Sequence, residues 1–159
     1  MNVFAGTWSI TEEYAPNQWM PNGGVAHGDE VWWPGPAGLS LIEEYHARTP
    51  SGEVFGMSIS WWDAQAQRYQ TVWCASVLPA GCVTPSDGLR WVADQLVYLD
   101  ERETNRKKIV FKEVYSEITP SSFTQAVDVG ESGGELKPFA PIRATKVTRA
   151  PTPPASPPR

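Results

Sequence analysis

Turn-forming residues interrupt this chain so often that nothing between them is long enough for more than a short strand. The 159 residues include 15 prolines and 13 glycines. Between them lie the runs 5–14, 28–33, 39–48, 53–62, 68–76, 89–99, 108–116, 122–129 and 141–149, most rich in Val, Ile, Tyr, Phe, Trp and Thr. Those residue types suit a pleated surface, where branched and flat side chains pack against neighbours on adjacent strands. Turn chemistry separates them at Pro50-Ser51-Gly52, Asp63-Ala64-Gln65, Ser86-Asp87-Gly88, Thr119-Pro120-Ser121 and Gly130 to Gly134. The pattern predicts an all-β fold, an antiparallel up-and-down meander of about 8–10 strands, closed into a barrel because closure removes exposed sheet edges. A helix competes only over 39–48 and 89–99. For 89–99, β-branched and aromatic content and a hairpin-like stretch at 100–105 favour strand.

Two segments fall outside the meander. Residues 15–27 are too rich in Pro, Asn and Gly for regular structure and read as a long first loop, with Trp19 and Met20 folding over an open barrel end. The tail 150–159 carries five prolines in ten residues and is expected to be an extended, mobile end. The organisation is therefore one barrel domain over 1–149 and a proline-rich tail over 150–159.

Composition excludes several function classes. A net charge of −5 and a pI near 5.0 leave no basic stripe for nucleic acid. No run approaches the ~18 apolar residues of a membrane span, and no leader-like segment precedes the first strand, so a cytoplasmic protein is expected. Cys74 and Cys82 then read as free thiols, although their spacing around Pro79-Ala80-Gly81 would also let them face each other across a hairpin. His27 and His46 have no metal-ligand spacing with each other or with a cysteine, so neither metal nor cofactor is expected. Gly56-Met57-Ser58-Ile59-Ser60 lacks the closing glycine of a nucleophile elbow. The glycine-rich 130–134 lacks the basic residue and helix of a phosphate cradle.

Strand alternation frames the remaining candidates. Glu43 and Glu44 must point to opposite faces, and Glu44 shares its face with His46. If that face is the lumen, an acid and an imidazole stand together among aromatic rings; if not, both face water while Leu39, Leu41 and Tyr45 pack inward. Trp32-Trp33 and Trp61-Trp62 must likewise divide their rings between inside and outside. The set Phe55, Met57, Ile59 and Trp61 reads as an inward stripe, with Trp62, Ser58 and Ser60 outside. Outward tryptophans close together would form an interface for a homodimer or a partner, unless the 15–27 loop covers them.

Gly6-Thr7-Trp8 in the first strand, ahead of a meander of this size, resembles the lipocalin-like barrels of the calycin superfamily. The resemblance implies that Gly6 and Trp8 close one barrel end, with a cation from the last strand over the Trp8 ring: Arg143 or Arg149, with Lys146 also available. More closely, the chain is similar over residues 4–148 to an uncharacterised, largely bacterial family of lipocalin-like domains. The likeness rests on Ala5-Gly6-Thr7-Trp8, Gly52-Glu53, Ser60-Trp61-Trp62-Asp63-Ala64 with Arg68-Tyr69, Val72-Trp73-Cys74 with Gly81-Cys82, and Ile118-Thr119-Pro120-Ser121-Ser122-Phe123. Heme-binding barrels of the superfamily place their ligating histidine late in the chain, and this sequence has none after His46.

The expected function is non-catalytic binding of a small, mostly apolar or aromatic molecule in the lumen. Trp33, Tyr45, Phe55, Met57, Trp61, Trp73 and Tyr115 are the candidate lining, with Trp19 at the mouth. One alternative is an enzyme using Glu44 and His46 as general acid and base, with Glu113 or Tyr115 in support. Another is an interaction module that uses the outward tryptophans.

Overall fold

The computed structural model describes residues 1–148 apart from 18, 19, 86 and 105, and the backbone alone of Thr104. The expectations for Trp19, Arg149 and the 150–159 tail fall outside these residues. The chain forms β1 (Gly6–Tyr14), β2 (Gly24–Pro34), β3 (Ser40–Thr49), β4 (Gly52–Asp63), β5 (Arg68–Ala75), β6 (Cys82–Val83), β7 (Leu89–Val92), β8 (Gln95–Thr104), β9 (Lys107–Ser116), β10 (Ser122–Glu131) and β11 (Lys137–Lys146). Single turns of 3-10 helix lie at Asn2–Phe4 and Pro36–Gly38. Sequential neighbours pair antiparallel except β6 and β7, which both pair with β5, and β11 returns to β1. The ring β1-β2-β3-β4-β5-β7-β8-β9-β10-β11 is a closed ten-stranded antiparallel barrel, consistent with a lipocalin-like fold, with β6 appended to β5.

Seams differ in strength. β3 and β4 pair from Ser40↔Trp61 to Thr49↔Gly52, whereas β5 meets β7 only at Tyr69↔Leu89. Three local expectations change. Residues 24–27 belong to β2 rather than to the first loop, because β1 runs on to Tyr14 and pairs it with Gly24. The 89–99 run is a hairpin, β7 and β8, joined across Ala93-Asp94 with Ala93 at φ 54°. Residues 100–104 continue β8 against β9 instead of turning. Finally, Cys74 and Cys82 are not free thiols. They stand opposite each other between β5 and β6 and form a disulfide.

One end of the barrel is plugged. The turn at Asn2–Phe4 lays Phe4 across it, against the rings of Trp32, Phe123 and Tyr115 at centroid distances of 5.5, 5.3 and 5.5 Å. Trp8, fully buried, meets Phe123 at 4.9 Å, and its indole donates to the Phe4 carbonyl at 2.6 Å. The cation over Trp8 is Lys146, at 5.0 Å from the ring centre, and its ammonium donates to the Ala5 carbonyl at 2.8 Å. Gly6, at φ 137°, makes room for this, since a Cβ there would collide with the Lys146 side chain. Arg143, the expected partner of Trp8, points outward and pairs with Glu13 at 2.6 Å. Its place in the alternation puts it on the outer face, between inward Ile142 and Ala144.

Candidate functional site

Trp8 faces inward, so strand alternation carries Ile10, Glu12 and Tyr14 inward after it. On β2 the same rule turns Trp32 and Glu30 inward, and on β3 Leu41, Glu43 and Tyr45. Asp100 on β8 and Glu113 on β9 complete a belt of acids around the interior. Every one of these acids has a specific donor or ion partner. Tyr45 donates to Glu12 at 2.7 Å, and the Tyr14 hydroxyl donates to the other oxygen of Glu12. Trp32 donates to Glu30 at 2.9 Å, Ser58 to Glu43 at 2.6 Å, and Gln125 to Glu113 at 2.8 Å. Arg102 lies 3.0 Å from Asp100, its guanidinium 4.0 Å above the Phe111 ring.

Burial is costly for these groups, because removing charge from water disfavours the ionised form. Glu30 is pushed up to about 7, chiefly by burial; the Trp32 donor pulls it back, while Glu12 and Glu113 add repulsion. Glu113 is likewise raised to about 7 by burial, against the pull of Gln125 and Arg102. Burial, then repulsion from Glu30, holds Glu43 well above its ordinary value. Asp100 is raised by burial and lowered by Arg102. The hydroxyls of Tyr14, Tyr45, Tyr98 and Tyr115 are all pushed up, burial first, and stay protonated donors.

The structure redistributes the predicted lining. Tyr45, Trp73 and Tyr115 face inward, with the Tyr45 and Trp73 rings 5.9 Å apart. Phe55, Met57 and Trp61 do not: β4 presents them outside and turns Gly56, Ser58 and Ser60 inward. The reason lies next door. Glu43 on β3 needs a donor once buried, and Ser58 stands opposite it; Ser60 bonds Thr71 across to β5 at 2.9 Å. Gly56 leaves the space that the Trp73 ring fills, and a Cβ there would collide with that ring. Trp33 is also outward, because its neighbour Trp32 is inside; Trp62, half-exposed at the rim, packs edge-on against Tyr69. Glu44 and His46, the alternative acid–base pair, stand on the outer wall, where His46 stacks on Phe55 at 4.6 Å and lies 3.8 Å from Glu53.

Two depressions open outside the lumen. One of about 340 Å³ at the plugged end is lined by Met1, Leu39, Trp61, Trp62 and Tyr69. Another of about 360 Å³ on the outer wall is lined by Asp29, Val31, Glu44, His46, Phe55 and Met57. Among the described residues, no three His, Cys, Asp or Glu side chains converge as metal ligands would, and no helix is long and apolar enough to cross a membrane. No protein-family model matches the sequence, and no curated protein matches it.

Proposed function

We propose that this barrel binds a small aromatic or largely apolar molecule in the half of its lumen away from the plug, without catalysis. The observation that carries this reading is the inner surface of β4 and β5. There Ser58, Thr71 and Ala75 present little bulk beside the rings of Tyr45 and Trp73, the Trp73 ring lying over Gly56. Eight strands give an interior that side chains fill or that holds one small ligand, and ten make a wider one. The motifs quoted above support kinship with the lipocalin-like calycin barrels and their bacterial members. The enzyme alternative loses its named pair, since Glu44 and His46 are outside.

Native mass spectrometry of protein purified from its own host tests the reading. A retained small molecule of constant mass supports it. Apo mass only, together with unchanged tryptophan emission on titration with apolar fluorescent probes, overturns it.

A second reading rests on the outer wall, where Val31 on β2 and Phe55, Met57 and Trp61 on β4 are exposed on either side of Glu44 and His46 of β3. A homodimer through that face predicts a doubled mass in light scattering that Phe55→Ser with Met57→Ser abolishes. A cytoplasmic setting conflicts with the Cys74–Cys82 bond, which lasts where thiols are not kept reduced. Thiol counting on host-purified protein decides between the two.

A further inference from the structure

The plugged end leaves aromatic surface uncovered. Leu39 is 78% exposed, Trp62 51% and Trp61 38%, and with Met1 and Tyr69 they line the depression of about 340 Å³ there. Strand pairing brings them together. Ser40 meets Trp61 where β3 begins and β4 ends, and Trp62 meets Tyr69 where β5 begins. Leu39 follows the 3-10 turn at Pro36–Gly38 and faces solvent. The Trp62 and Tyr69 rings stand edge to face at 5.0 Å, so the depression is a cleft between rings and not a flat wall. Apolar rings grouped at a surface mark a place where another segment binds.

The chain delivers such a segment to this end. β11 runs toward the plug, and beyond it the Val147 amide donates to the Thr7 carbonyl at 2.8 Å. Residues 149–159 follow, outside the described residues, with five prolines and no acid. Arg149 and Arg159 make this tail positive on a chain whose net charge is −5, so the barrel that carries it is acidic. A proline-rich run favours the polyproline II helix, which is ordered before it binds and loses little entropy on docking. Such a run offers pyrrolidine faces and carbonyl acceptors but few N–H groups. Clefts of Trp and Tyr match it, because their rings stack on proline while their N–H and O–H groups donate.

The tail is also long enough. From β11 through β1, β2 and β3 to β4 there are four strand spacings of about 4.8 Å, roughly 20 Å along the rim. At about 3.1 Å per residue in polyproline II, roughly seven residues past Thr148 cover that distance, which brings Pro157 and Pro158 to the cleft.

We propose that the cleft of Leu39, Trp61, Trp62 and Tyr69 binds a proline-rich segment, and that its occupant is the tail of the same chain, through Pro157 and Pro158. This site lies outside the lumen and does not depend on a lumenal ligand.

Nuclear magnetic resonance of the nitrogen-labelled full chain tests the assignment. The indole N–H signals of Trp61 and Trp62, identified with Trp61→Phe and Trp62→Phe, are expected to shift when Pro157→Ser and Pro158→Ser are combined, while that of buried Trp8 stays in place. In the unaltered chain the Ser156 amide is expected to be as rigid on the nanosecond timescale as the strand amides, and Leu39→Ser with Trp62→Ser should free it. Indole signals indifferent to the two prolines overturn the proposal. So does a Ser156 amide already mobile in the unaltered chain, or one that stays rigid when the cleft is altered. Shifts that vanish on dilution put the tail in the cleft of a second copy and overturn the same-chain occupant. Should the cleft variant not fold, the tail variant, which leaves every barrel residue in place, decides.

Discussion

The plugged end and the acidic belt are built by the same strands, yet they solve burial in opposite ways. At the plug, Trp8, Phe4, Phe123 and Trp32 remove apolar surface from water, and their polar atoms are satisfied locally, as the indole of Trp8 is by the Phe4 carbonyl. A few residues further along the same strands, the inward positions carry Glu12, Glu30 and Glu43, which burial penalises unless donors or protons come with them. The difference teaches that burial stabilises the rings of the plug and penalises the carboxylates beside them.

Breaking the plug should have the largest effect. Trp8→Ala removes a fully buried indole, its edge contact with Phe123 and its bond to Phe4, and is expected to cost about 3–5 kcal/mol in urea unfolding. A loss under 1 kcal/mol would show that the plug is not the stabilising centre.

The belt should respond to pH with the opposite sign. Glu30, Glu43, Asp100 and Glu113 have raised folded values, so the folded state holds protons that the unfolded state has released. Stability is then fully present below the ordinary value near 4.5 and falls as pH rises through about 7. Half-buried Asp63 and exposed Glu101, whose values are lowered, lose stability only as pH falls below their ordinary range. Melting temperature should therefore decline between pH 5 and 8. Glu30→Gln should flatten that slope and raise stability at pH 8 by about 1–3 kcal/mol, the worth of one or two pKa units. A rising profile, or a Gln variant less stable at pH 8, would break the contrast.

Two cations of β11 sharpen the comparison on a smaller scale. Lys146→Met gives up the contact over Trp8 and a bond to a part-buried carbonyl, and should cost about 1–2 kcal/mol in the same unfolding assay. Arg143→Ala, which removes an exposed pair with Glu13, should fall within about 0.5 kcal/mol. Equal effects would mean that Lys146 does not close the plug.

Much of this was legible before any coordinates. The likeness of Gly6-Thr7-Trp8 to lipocalin-like barrels implied the closed end, and the turn-separated runs announced the meander. The acids were legible too, by parity alone: an inward Tyr45 forces Glu43 inward, and an inward Trp8 forces Glu12 and Tyr14 inward. What misled was β4, where the larger and more apolar face looked like the natural inner one. That rule holds for a lumen filled with hydrocarbon, and here the inward neighbour of β4 is a carboxylate that needs Ser58. Trp33, Phe55, Met57 and Trp61 were misplaced for that reason, and Arg143 because several cations of β11 competed for one ring.

By itself the sequence determined that this chain forms short antiparallel strands joined by turns, since turn residues and strand propensity act locally; the plug at Trp8 was implied by the likeness of Gly6-Thr7-Trp8 to lipocalin-like barrels. Which face of each strand looks inward, which cysteine meets which, and which cation covers Trp8 were decided only by tertiary structure. Those choices depend on partners distant in the chain: Ser58 for Glu43, Cys82 for Cys74, Lys146 for Trp8. A period of two offers each strand two equivalent faces, and only the neighbours across the sheet and lumen break the tie.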